Sequence, residues 1–189
     1  MTAAAVLDFW FGDRPCHSDR PAWFEKNAAF DAECRERFLP DVQFALAGGH
    51  GGWAATPDGT LALLILLDQL PRNLYRGTAR AFAGDRRALE IARQAVADGR
   101  DQALSPVERV FVYLPFEHSE NLADQRRCLA LTAALRDGAG GFLDMAHDYA
   151  VKHFEVIRAF GRFPHRNQAL GRVTTPAEAR FLTQPGSSF

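Results

Sequence analysis

The tract Phe160-Gly161-Arg162-Phe163-Pro164-His165-Arg166-Asn167 gathers three cationic or titratable side chains and an amide around a glycine and a proline. That density of directional hydrogen-bonding groups in a rigid turn suits a site better than a connector. Two further segments share its character: Asp68-Gln69-Leu70-Pro71-Arg72-Asn73-Leu74-Tyr75-Arg76 and Pro115-Phe116-Glu117-His118-Ser119-Glu120-Asn121. The chemistry on offer is anion recognition by arginine and proton transfer by histidine beside a carboxylate.

Each group has a plain alternative role. Asp68 falls at the end of an apolar segment read as a buried helix, where the macrodipole disfavours a carboxylate, so it requires a compensating cation. Arg72 and Arg76 follow at spacings of four and eight. An internal Asp68 to Arg72 pair and a ligand site built from Asp68, Arg72, Asn73 and Arg76 are both open. His118 lies between Glu117 and Glu120, which favours its imidazolium and suits it to general acid or base work near neutral pH. The alternative is that His118 and Ser119 cap the next helix while the glutamates lie in water.

His153 shares a mostly apolar helical face with Tyr149, Val156 and Phe160, as core histidines do, yet the same helix leads into the Arg162 turn. Arg158, Arg162, Arg166 and Arg172 occupy a stretch without Asp or Glu between Glu155 and Glu178. These arginines either hold a carboxylate or phosphate bidentately or pair with Asp68, Glu117 or Glu120 inside the fold. The catalytic candidates are therefore His118, Glu120 and His165. The ligand-binding candidates are Asp68, Arg72, Asn73, Arg76, His153, Arg162, Arg166 and Asn167. His118, Glu120, His153 and His165 are too widely spaced to define a metal set, and neither metal nor cofactor is assigned. No glycine-rich phosphate loop, GxSxG, HExxH or CxxC accompanies them.

The elements that must position these groups read as helices. Ser105-Pro106-Val107-Glu108 and Thr175-Pro176-Ala177-Glu178 each spell a capping box with proline at the first helical position. Ala3 to Phe11 reads as a short helix stopped by Gly12, and Ala28 to Ala47 as an amphipathic one interrupted or kinked at Pro40. Asp58 to Leu70 is apolar on every face and should be central and buried. Asp85 to Ala97, Asn121 to Arg136 and Phe142 to Phe160 carry apolar residues at helical spacing, with Gly161 as a C-terminal stop. The helix begun at Ser105 is expected to break or kink at Pro115. Val110-Phe111-Val112-Tyr113 is the one β-like run, so the chain reads as all-α, its helices packed as antiparallel pairs.

Across 189 residues, 47% of them hydrophobic, one domain over residues 1–189 is expected, removing roughly 70% of the unfolded surface from water. A net charge of -1 provides no global field for nucleic acid or an anionic membrane. The longest apolar run, Leu61 to Leu67, is far short of the ~20 residues that span a bilayer. Cys16, Cys34 and Cys128 are odd in number and far apart, which argues for a reducing cytoplasm over a disulfide framework. The amino terminus lacks a basic segment followed by a long apolar stretch, so no cleaved leader is expected. Composition does not set the oligomeric state.

The three polar segments, the third extended by Leu170-Gly171-Arg172, resemble the signature blocks of the bacterial domain-of-unknown-function family 924. Val6-Leu7-Asp8-Phe9-Trp10-Phe11 and Trp23-Phe24 match it as well, so the resemblance covers nearly the whole chain. Leu70 and Asn121 stand where the family pattern has phenylalanine and aspartate. The resemblance implies a single-domain, all-α, tetratricopeptide-like fold and implies no activity. The residues themselves leave three readings: a pocket that binds a small anionic molecule or a peptide carboxylate, a hydrolase using a histidine–carboxylate base in that pocket, or an internal ion-pair network. All three require the blocks to converge.

Overall fold

The computed structural model describes residues 1–136 and 138–187. Among them the regular structure is helical: α1 Ala3–Phe11, α2 Ala28–Leu46, α3 Pro57–Leu64, α4 Leu70–Leu74, α5 Asp85–Ala97, α6 Pro106–Glu117, α7 Leu122–Ala133, α8 Phe142–Phe160 and α9 Pro176–Leu182. Local chemistry accounts for most of the ends. Ser105 and Thr175 form both expected capping boxes, each hydroxyl accepting from the third-residue amide and each glutamate returning to the cap. Gly161 closes α8 at φ +68°, where its N–H donates to Ile157 O over 2.8 Å. Arginines finish other helices: Arg20 donates to the Phe9 and Trp10 carbonyls ending α1, and Arg87 to those of Ala45 in the last turn of α2 and of Gly48 and Gly49 beyond it.

The core forms around α3, whose residues Leu61 to Leu64 are fully enclosed, as are Ile65, Leu66 and Leu67 beyond it. Helices α1, α2, α5 and α6 cover this segment. Phe111 of α6 anchors one side through edge-on contacts with Phe11 and Trp23, at 5.1 and 4.8 Å between centroids. Helices α6, α7 and α8 lie side by side in sequence order. A smaller cluster of Val156, Ile157 and Phe163 sits under the turn after α8. Val110 to Tyr113 belongs to α6, where Val110 and Phe111 face this core rather than a sheet.

Prolines depart from the sequence expectation in an instructive way. Helix α2 runs through Pro40 and α6 runs through Pro115 to Glu117, so neither breaks there. Each forfeits one backbone bond, and burial of the surrounding face retains the helix. Leu70 likewise does not end the central helix. The chain makes a π turn over Ile65–Gln69 and resumes as α4 to Leu74. Pro71 has no N–H for the carbonyl of Leu67, and the wider turn accommodates its ring. That carbonyl faces Gly84, where an added Cβ would stand only 2.1 Å from Leu67 O. Glycine is thus what lets the start of α5 press against the π turn. Among the described residues no helix is long and apolar enough to cross a membrane.

Candidate functional site

The π turn brings Asp68 inward, at 1% exposure, and His118 follows the last residue of α6. Their side chains meet, His118 Nδ1 to Asp68 Oδ1 at 2.7 Å. Gln69 donates to the other carboxylate oxygen at 2.5 Å, and Arg72 approaches Oδ1 at 3.3 Å while also donating to the Asp68 carbonyl. Burial alone would raise the Asp68 pKa, but the charge of Arg72 and the contacts with His118 outweigh it and hold the carboxyl well below the usual carboxylate range. His118 moves the other way from the sequence expectation. Burial and then the charge of Arg72 lower its pKa despite Asp68, so the imidazole is the neutral form at pH 7. Since the carboxylate can only accept, Nδ1 carries the proton and Nε2 carries the lone pair. Among the described residues nothing hydrogen-bonds Nε2, and 13% of the side chain is open to solvent.

Asp85, the first residue of α5, joins the third block to this pair. Its two oxygens receive Arg72 at 3.0 and 3.1 Å, and Arg166 at 3.2 Å. Arg166 also donates to the His118 carbonyl at 3.1 Å. Its guanidinium lies between the rings of Phe82 and Phe163, at 4.7 and 4.5 Å. Burial and the neighbouring Arg72 pull the Arg166 pKa down to about 10. Among the described residues its Nε finds no acceptor. A half-buried and a buried cation thus share one carboxylate beside the neutral His118.

Behind His118 lies a second, apolar-walled layer. Burial, then the charge of Asp68, pushes the Glu117 carboxyl up to about 8, so it is protonated at neutral pH. His153 Nδ1 donates to the Tyr149 carbonyl at 2.9 Å and stands 3.2 Å from Glu117 Oε1. Burial lowers the His153 pKa well below the ordinary value, so the contact with Glu117 joins two neutral groups. His165 is similarly neutral, its pKa lowered to about 4 by burial and by Arg166. Its ring lies 5.5 Å from that of Phe163.

The other candidates fasten the blocks to the rest of the fold. Glu120 holds both guanidinium nitrogens of Arg172, between 2.8 and 3.1 Å, and accepts from Phe163 N at 2.8 Å. Arg172 continues to the Phe163 carbonyl and to Asn167 Oδ1. Arg162 is taken by Glu178 at 2.6 and 2.8 Å. Asn73 and Arg76 turn to Asp31 of α2, with three contacts of 2.8 Å. All three blocks therefore converge, through Asp68, His118 and Arg166, but Asn73, Arg76 and Arg162 point to other partners. An open cleft of about 680 Å³ follows Asn73 and Arg76 rather than His118.

Residues 6–186 match the family model described as bacterial protein of unknown function, DUF924. The chain belongs to this family. A solved structure of a protein of unknown function from Agrobacterium tumefaciens is 40% identical, covers 95% of this chain and 96% of its own, and superposes with a TM-score of 0.84. No curated protein gives a significant match.

In this DUF924 chain the partner that sequence reasoning missed is Asp85. An acid in the first turn of a helix is ordinary, since the macrodipole favours it, so its local context carried no sign of a role. Gln69 was equally silent, an amide beside a candidate acid. The sequence puts Asp68 at a helix end, whereas it lies inside the π turn, with the whole of α4 still to follow.

Proposed function

We propose that the Asp68–His118 pair is a general base acting on a small anionic molecule that Arg72 and Arg166 attract, in the manner of a hydrolase. The observation that carries this reading is the 2.7 Å contact between a buried, ionised Asp68 and a neutral His118 whose Nε2 is unengaged. Asp68 fixes the tautomer and orientation of the ring, which leaves Nε2 the basic atom. Among the described residues no serine, threonine or cysteine hydrogen-bonds His118, so the group it activates is water or a substrate hydroxyl rather than a side-chain nucleophile. Arg72 and Arg166 supply positive charge next to the forming anion, where a water-poor setting strengthens it. Glu120 serves as a clamp for Arg172 in this scheme, and His153 and Glu117 back the His118 ring. The cysteines Cys16, Cys34 and Cys128 are free and buried, in keeping with a cytoplasmic setting.

Binding without chemistry is the second reading, favoured by the sharing of Asp85 between two arginines, which an incoming anion relieves. Hydrolysis assays on panels of phosphate monoesters and carboxylate-bearing esters separate the two. His118→Gln and Asp68→Asn are each expected to lower turnover about 10²- to 10⁴-fold. Thermal stabilisation by such anions, lost in Arg166→Gln and unaccompanied by any turnover, supports binding alone. Neither turnover nor stabilisation would leave the cluster a purely structural network.

A further inference from the structure

Several residues of the first polar block take no part in the His118 cluster. Asn73, Tyr75 and Arg76 line an open cleft of about 680 Å³ between α2 and the turn after α4, shared with Arg35 and Arg80. That volume lies within the roughly 300–1,000 Å³ of small-molecule sites. Its charge is one-sided, three arginines against the single carboxylate of Asp31. Asp31 is already engaged, bound by Arg76 and Asn73.

Arg35 and Arg80 are different. Arg35 donates to the Leu74 carbonyl, and Arg80 donates to the Tyr75 hydroxyl at 3.2 Å with its guanidinium 4.2 Å from the centroid of that ring. Among the described residues neither has a carboxylate partner, whereas Arg72, Arg76, Arg162, Arg166 and Arg172 all have one. The same cleft has an apolar lining from Ala32 and Leu74 together with Tyr75. Two guanidinium groups without a carboxylate in salt-bridge contact, in a cleft that also has an apolar lining, fit a ligand that is charged at one end and apolar at the other.

We infer that this cleft is a second ligand site, separate from His118, for a small organic anion. Its carboxylate or phosphate head lies on Arg35 and Arg80, and its planar apolar body lies along Tyr75 and Ala32. A head group bound this way gains charge-assisted hydrogen bonds from donors whose present acceptors are neutral.

The test is an amide-resolved NMR titration of the full chain with four probes: benzoate, phenyl phosphate, inorganic phosphate and benzyl alcohol. Saturable shifts at Ala32, Tyr75 and Arg80 with benzoate or phenyl phosphate are expected, and the tighter of the two identifies the head group. Arg35→Gln and Arg80→Gln should each weaken the better probe at least about tenfold. His118→Gln should leave its affinity unchanged, which keeps this site distinct from the proposed base. No saturable shift with either aromatic anion, equal binding of benzyl alcohol, or unaltered affinity in the doubly substituted protein overturns the assignment. Inorganic phosphate binding as tightly as phenyl phosphate removes the apolar half of it.

Discussion

Asp68 and His118 are 50 residues apart in the chain and 2.7 Å apart in space. The contact joins the π turn of the central segment to the residue that closes α6, and so fixes where one polar block stands against another. With Arg72 and Gln69 on the same carboxylate, Asp68 is the point through which most of the cluster is satisfied.

Removing that carboxylate should therefore be costly. Asp68→Ala leaves Gln69 and the His118 Nδ1–H without their buried acceptor and removes one of the two carboxylates that face Arg72, and it is expected to destabilise the protein by about 3–5 kcal/mol. For a chain of this length that lowers Tm by roughly 6–20 °C. Thermal unfolding measures it, and an unchanged Tm would show that Arg72 does not need Asp68.

Glu117 makes stability depend on pH in a direction unusual for an acid. Burial lifts its folded pKa from 4.5 to about 8, so the folded form keeps a proton that the unfolded chain releases. The contribution is complete below pH 4.5 and is lost as pH rises towards about 8. Glu117→Gln cannot titrate. Its Tm relative to the parent should climb steadily between pH 5 and 8.5, and parallel curves would mean that the carboxyl is ionised in the fold.

Gly84 holds α5 against the π turn. A methyl group there collides with the Leu67 carbonyl, and any retreat of α5 carries Asp85 away from Arg72 and Arg166. Gly84→Ala should cost about 1–3 kcal/mol in denaturant melts. Gly52→Ala, with nothing within 4 Å of the added carbon, should stay within about 0.5 kcal/mol. Equal effects of the two would contradict the close approach.

Arg172 and Arg86 both pair with glutamate, yet their worth should differ. Arg172 is bound to Glu120, Asn167 and the Phe163 carbonyl together, and its loss should cost about 2–3 kcal/mol. Arg86 meets Glu90 on the outside of α5, 92% exposed, and Arg86→Ala should cost no more than about 0.5 kcal/mol. Chemical denaturation of the two alanine variants side by side tests this, and comparable losses would argue against the half-buried clamp.

Local signals settled a good part of this protein in advance. The capping boxes at Ser105 and Thr175, the stop at Gly161 and the limits of α5 and α8 follow from contacts three or four residues long, which the sequence writes out directly. The all-α class and the family blocks were legible for the same reason. The π turn, and the continuation of α2 and α6 through Pro40 and Pro115, were not. Burial of an apolar face offsets a lost backbone bond, and the amount of burial belongs to the assembled fold.

The partners of the polar groups were decided by tertiary structure alone. The sequence named Arg72, Arg76, Arg162 and Arg166 as one anion-binding group, but packing gave Arg76 to Asp31 and Arg162 to Glu178, leaving only Arg72 and Arg166 on Asp85. Flanking glutamates suggested a protonated His118, whereas burial and Arg72 make it neutral. Identity and spacing determine which groups are able to ionise. Desolvation and charges contributed from distant parts of the chain determine which of them do, because both depend on distance through space rather than along the sequence.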